Sequence, residues 1–296
     1  MRVLRLFVVG ASIALGAGMV VVTNGALHVP RGTSPPAQAA EALARRTNST
    51  WTDLQVHAPD GVILASWLFT PSAPNGAVVI ALHGVGDTRM GMLAHAEFLL
   101  RSGFIVLVPD SRGHGASGAT VITFGVREAA DIRCWSDRLL KDRPFGRLYG
   151  MGQSMGAAIL LESLHTEPRW RAIVADSPFA TFEEISYERL RQVTGLPQPA
   201  FWPVIRLGFL YTRLAYGVDL ERASPADAIR STRVPVLLIH GAADTNIPPH
   251  HSQQLHALNP SATSLWLVPG AEHVSSLGTD PETYSRTVVD WFNNHP

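Results

Sequence analysis

A chain of 296 residues can hold one large α/β domain or two small ones, and 46% hydrophobic against 16% charged residues leaves ample material for a buried core. The formal net charge is zero and the pI about 7.2, with basic residues scattered singly or in pairs such as Arg45-Arg46, which argues against a nucleic-acid partner, since that calls for a basic patch. A single cysteine, Cys134, excludes an intramolecular disulfide, and the 12 histidines are dispersed without a His-x-x-x-His zinc pattern around a glutamate.

Arg2 and Arg5 precede an uncharged stretch whose apolar part, Leu6–Val22, is about 17 residues long. At about 1.5 Å per residue, that part plus Thr23–Leu27 just crosses a hydrocarbon core of about 30 Å. Residues 1–30 therefore read as an uncleaved membrane anchor, with a cleaved signal peptide and a buried hydrophobic helix as alternatives. Basic residues on the N-terminal side place the body of the chain outside the cytoplasm under either of the first two readings. The best small-x-small cleavage site, Ala37-Gln38-Ala39, lies far downstream. Residues 31–50, rich in Pro, Ala, Ser and Thr, read as a linker with a short helix over Gln38–Arg46.

From residue 51 onward, strand-like and helix-like stretches alternate. Leu54–Ala58 and Val62–Phe69 flank the turn Pro59-Asp60-Gly61. Short apolar runs follow at Ala77–Leu82, Phe104–Val108, Arg147–Met151, Ala172–Val174, Val234–His240 and Ser264–Val268, as suits strands buried on both faces. Between them lie periodic stretches at Met90–Ser102, Val126–Leu140, Ser154–His165, His250–Leu258 and Pro281–Asn294, the last with Asp280 as its cap. Alternation of this kind implies a central, mainly parallel sheet with helices on both faces. Residues 179–228 break it: aromatic residues, among them Phe201, Trp202 and Phe209, are interrupted by Pro197, Pro199 and Pro203, which predicts a helical cap inserted into a catalytic domain spanning 51–296. Cys134, at helical spacing with Ala130, reads as a buried core residue. His250 and His251, being adjacent, are expected to point apart in a surface or loop role.

Gly152-Gln153-Ser154-Met155-Gly156 follows a strand and opens a helix. A serine on so tight a turn takes a strained backbone, and its flanking positions must be small. The turn lifts the hydroxyl clear of the sheet, and the helix N-terminus behind it offers unpaired N–H groups to a developing oxyanion. A serine hydroxyl needs a base. His273 lies in the loop after strand Ser264–Val268, and Asp244 in the loop after Val234–His240; both loops fall on the sheet edge that carries Ser154. Asp244 would hold the imidazole tautomer while His273 takes and returns the proton. Asp176 is a backup acid, and Glu272 reads as solvated. In His83-Gly84-Val85-Gly86-Asp87, the Val85 N–H is assigned as second oxyanion donor beside that of Met155, with His83 pinning the loop. Asp110 and Arg112 read as loop-fixing residues.

The segments LHGVGDTRMGML, VPDSRGHGAS, GQSMGAA, VADSPFATFEE, ASPADAI, VPVLLIHGAADTNIP and PGAEHVSS together resemble the α/β-hydrolase superfamily, and within it the serine-aminopeptidase-like or prolyl-oligopeptidase-like serine hydrolases. The resemblance spans about residues 82–276. It implies the α/β-hydrolase fold, a Ser-Asp-His triad and acyl transfer through a covalent acyl-enzyme, with no cofactor and no metal. Epoxide hydrolases and dehalogenases of this fold carry an aspartate where this chain has Ser154. The sequence reading is a hydrolase of a small carboxylic ester with an apolar acyl or alcohol part. A peptidase, amidase or thioesterase is the alternative of the same fold, and an inactive membrane-tethered binding protein the alternative of a different class.

Overall fold

Strand β3 (Ala77–Leu82) is buried along its whole length, and its residues alternate between two cores. Val78, Ile80 and Leu82 face one apolar layer while Ala77, Val79 and Ala81 face the other, so the strand has helices on both sides. In the computed structural model, which describes residues 16, 18–119, 121–142 and 146–296, β3 sits at the centre of an eight-stranded sheet. The other strands are β1 (Ser49–His57), β2 (Ile63–Pro71), β4 (Ile105–Pro109), β5 (Arg147–Gln153), β6 (Trp170–Asp176), β7 (Val236–Gly241) and β8 (Thr263–Val268). Their order is β1-β2-β4-β3-β5-β6-β7-β8. β2 pairs antiparallel with β1 and β4, and every other pairing is parallel. The mainly parallel sheet inferred from the sequence is the sheet observed.

The helices are α1 (Ala37–Arg46), α2 (Leu93–Arg101), α3 (Glu128–Asp142), α4 (Met155–Glu162), α5 (Phe182–Thr194), α6 (Trp202–Tyr216), α7 (Pro225–Ser231), α8 (His250–Leu258), α9 (Ser276–Thr279) and α10 (Pro281–Asn293). Helix α4 is buried at every position and packs against β5 and β6 behind the glycine-rich turn. On the opposite face, Phe292 of α10 stacks on Tyr149 of β5 at 4.7 Å between ring centroids, and Phe104 meets both rings edge-on. Each such fully buried ring contributes about 1.5–3 kcal/mol through the area it removes from water.

Two stretches read from the sequence as helical gain detail in the structure. Within residues 31–50, α1 buries Ala40, Leu43 and Ala44 at the i, i+3, i+4 spacing of one helix face, and β1 already begins at Ser49. Residues 179–228 hold α5 and α6 with α7 at their end; Pro203 lies in the first turn of α6, where proline is compatible with helix, so it starts the element. Cys134 is half-buried at the edge of the core.

Most of the Leu6–Val22 stretch read as an anchor lies outside the described residues. Among the described residues no helix is long and apolar enough to cross a membrane. Residues 18–27 are helical, and Leu27 is buried in the core shared by the cap and the helices α3 and α4.

Candidate active site

Strand β5 runs straight into α4 through Ser154, which has no room for an ordinary turn. Its backbone lies at φ 52°, ψ −118°, a conformation rare outside glycine, and its N–H donates to the Asp176 carbonyl at 2.8 Å. The flanking glycines are set by contact. A Cβ on Gly152 would stand 2.6 Å from the main chain of Gly156, and one on Gly156 would stand 2.4 Å from the Leu82 carbonyl. Met155 is the first residue of α4, where a main-chain N–H has no partner inside the helix.

The loops after β7 and β8 bring the other sequence-predicted residues to this turn. His273 Nε2 lies 3.0 Å from Ser154 Oγ, and His273 Nδ1 lies 2.7 Å from Asp244 Oδ2. A carboxylate only accepts, so Nδ1 carries the proton and the Nε2 lone pair faces the serine hydroxyl. The Asp244 carboxylate is held from three sides. Its Oδ1 accepts from the N–H groups of Asn246 (2.8 Å) and Ile247 (2.9 Å), and the buried His240 faces its Oδ2 at 3.3 Å. Burial alone would raise this carboxyl, but the hydrogen bonds with His240 and His273, the charge of His273 and the Ile247 N–H outweigh it and hold Asp244 well below the usual carboxylate range.

His240 was not singled out in the sequence, although its place as the last side chain before the Gly241 turn was a usable signal. Its Nε2–H donates to the Ile247 carbonyl at 2.8 Å, and its Nδ1 lies 2.7 Å from Ser252 Oγ, so it fixes the acid-bearing loop from inside.

Asp176 sits at the end of β6 but engages other groups: Tyr284 Oη at 2.9 Å, Ser177 Oγ at 3.1 Å and Ser276 Oγ at 3.4 Å. It anchors the stretch beyond His273 to the sheet. Complete burial pushes its carboxyl up to about 6, against opposing hydrogen bonds from Tyr284 and Ser177. A carboxyl raised above its unfolded value of 3.8 adds stability below that pH, and the contribution is lost as pH rises through about 6. Asp176→Asn, which keeps an acceptor for Tyr284, is therefore expected to gain on wild type by about 2 kcal/mol between pH 4 and pH 7. Urea unfolding of both proteins across that range measures it, and a pH-independent difference would contradict the assignment.

The loop after β3 closes the site from the other side. Gly84 lies against Ser154, where an added Cβ would stand 3.3 Å from that of the serine. His83 is fully buried, with Nδ1 donating to the Gly84 carbonyl at 2.7 Å and Nε2 accepting from the Ser111 N–H at 3.0 Å. Burial and the neighbouring His114 lower its pKa to about 4, so the ring is neutral and acts as a brace. Asp110 receives the Arg89 guanidinium and the N–H groups of Arg89 and Ala116, and Arg112 pairs with Asp131 and Asp60. Both hold loops. Val85, exposed at the tip of this loop, lines the same cavity as Ser154 and Met155.

That cavity has a volume of about 550 Å³. Its far walls are apolar, with Phe124, Phe179, Phe182 and Phe209 among them, and Ile185 and Ile205 come from the cap helices. Cap helix α5 is latched to α8 by His250 and His251. Their rings do not point apart: from the first turn of α8 both reach across to α5, stacked at 4.5 Å, with each Nε2 3.0 Å from a Glu188 carboxylate oxygen. Glu184, His250 and His251 cluster closely enough to suggest a cation site. However, His251 Nδ1 accepts from the Ala180 N–H, which leaves Nε2 as the protonated nitrogen and no lone pair for a metal.

A family model described as serine aminopeptidase, S33, matches residues 73–208. YqkD of Bacillus subtilis (strain 168) is 31% identical over 220 residues, covering 73% of this chain and 71% of that protein. The Pyrococcus furiosus esterase Pf2001 superposes with a TM-score of 0.71 at 24% identity, over 90% of this chain and 99% of its own. The chain belongs to the α/β-hydrolase superfamily. This α/β hydrolase also shares its fold with the Pyrococcus horikoshii acylaminoacyl peptidase, at a TM-score of 0.63 and 14% identity over 83% of this chain and 42% of that one. At these identities the structural likeness is one of fold, and an esterase and a peptidase both have it.

Proposed function

We propose that this α/β hydrolase cleaves a carboxylic ester with an apolar acyl or alcohol part, using Ser154 as nucleophile, His273 as general base and acid, and Asp244 to orient the imidazole. The observation that carries the reading is the hydrogen-bonded chain from Ser154 Oγ through His273 to Asp244, opening on a mostly apolar cavity. As Ser154 Oγ attacks the ester carbonyl carbon, its proton passes to His273 Nε2 and the carbonyl oxygen gains the negative charge. The main-chain N–H groups of Val85 and Met155 are assigned to that oxygen, each such donor being worth about 3–4 kcal/mol in the transition state. Collapse expels the alcohol, which takes the proton from His273 and leaves an acyl group on Ser154. Water then attacks with His273 again as base, releasing the carboxylic acid and restoring the serine.

Amide and thioester cleavage would use the same residues, so substrate preference is the test. Purified protein is expected to turn over p-nitrophenyl esters and to leave aminoacyl anilides essentially untouched. Anilide turnover without ester turnover would move the assignment to a peptidase. A folded protein that cleaves neither and takes no fluorophosphonate label would defeat the hydrolytic reading of this site.

A further inference from the structure

The N-terminal segment just before the linker forms part of the cavity wall. Val22, Thr23, Ala26 and Val29 line the same cavity as Ser154. Val22, Thr23 and Ala26 share one face of the helical stretch 18–27, and Val29 follows just beyond its end, so one side of this short segment faces the cavity.

The segment is held in place at several points. Asn24 Oδ1 accepts from the hydroxyls of Tyr211 (3.3 Å) and Tyr216 (2.8 Å), both on cap helix α6. His28 meets the Tyr216 ring edge-on at 5.8 Å. The Leu27 carbonyl accepts from the Ile122 N–H at 3.0 Å, and the Arg31 carbonyl from the Gly115 N–H at 2.8 Å, which tie the segment's far end to the loop after β4. On α6, a Cβ at Gly208 would stand 2.7 Å from Thr23 Oγ1, so the absence of a side chain there is what lets the two backbones approach. Cap and catalytic domain therefore grip the segment from both sides, in front of the phenyl rings of Phe124 and Phe209.

We propose that residues 22–29 are a specificity element of this hydrolase: they close the apolar cavity and set the length of the acyl chain it accepts. The proposal rests on the ester reading of the Ser154 site. Ala26 is the smallest side chain on the segment's cavity side, so bulk added there subtracts volume where an extended chain would lie. Removing bulk at positions 22 and 29 does the opposite.

The test uses the full-length chain, comparing kcat/KM for p-nitrophenyl dodecanoate and butyrate. Ala26→Trp is expected to lower the dodecanoate-to-butyrate ratio by about tenfold or more, the discrimination that a few misfitted methylenes produce. The double variant Val22→Ala, Val29→Ala is expected to raise that ratio by about two- to threefold. A variant that merely loosened the fold would depress both substrates together, so equal losses at both lengths, or ratios that stay at the wild-type value in both variants, would overturn the proposal. A wild-type chain inactive on both esters would overturn the ester reading and this proposal with it. That failure appears before any substitution is made, which separates the two.

Discussion

Ser154→Ala is expected to lower kcat on p-nitrophenyl butyrate by about ten-thousand- to a million-fold, the loss that follows when the nucleophile of a cooperative triad is removed. The rest of the site stays in place in this variant. His273 remains bonded to Asp244, and alanine carries the same Cβ in the same strained turn, so the melting temperature should hold within a few degrees. Residual turnover would come from binding and the main-chain donors acting on water. Fluorophosphonate labelling should disappear together with turnover. Ser177 is the natural rival, because it too sits at positive φ at the end of a strand, but its hydroxyl contacts Asp176 and no histidine base. If Ser154→Ala kept more than about a hundredth of wild-type activity, the nucleophile would have to be sought there or elsewhere.

The loops that carry Val85, Ser154 and Asp244 could be read in the sequence because each follows a strand buried on both faces, while the His273 loop follows the partly buried edge strand β8. Runs such as Ala77–Leu82 and Val236–Ile239 have no polar positions to disguise, and in a parallel sheet the loops after them must gather on one edge. The order Ser154, Asp244, His273 then left few pairings open. Elements on the periphery were harder. The first half of β1 is polar because it is an exposed edge, so composition marked the strand only from Leu54 onward. Pro36 stands immediately ahead of α1, where proline does no harm, so the helix starts at Ala37, one residue before the Gln38 read from the sequence. The supports of the site were least visible. The Asp176–Tyr284 bond joins residues 108 apart, and the contacts of Asn24 with Tyr211 and Tyr216 span 187 and 192. Periodicity reports what a residue does within its own element, and these partners meet only after the sheet and cap have assembled.

The contrast between the two buried acids gives the second large effect. Asp244→Asn is expected to lower kcat by about ten-thousand-fold with little change in KM, because it reverses the histidine tautomer. The hydrogen bonds around the carboxylate dictate this outcome. Asn246 and Ile247 both donate main-chain N–H groups to Oδ1, so the amide of an asparagine must keep its oxygen there and place its NH2 where Oδ2 now lies. That NH2 would face His273 Nδ1, which must then become the acceptor. The ring proton moves to Nε2, pointing at Ser154 Oγ, and the base can no longer take the serine's proton. Asp176→Asn should cost less than about tenfold in kcat, since its carboxyl faces Tyr284, Ser177 and Ser276 and only helps place the stretch beyond the histidine. Single-turnover kinetics on the two variants decide between them. If Asp176→Asn proved the more damaging, the orienting acid would be Asp176, and the bond between His273 and Asp244 would be a structural contact without a role in proton transfer.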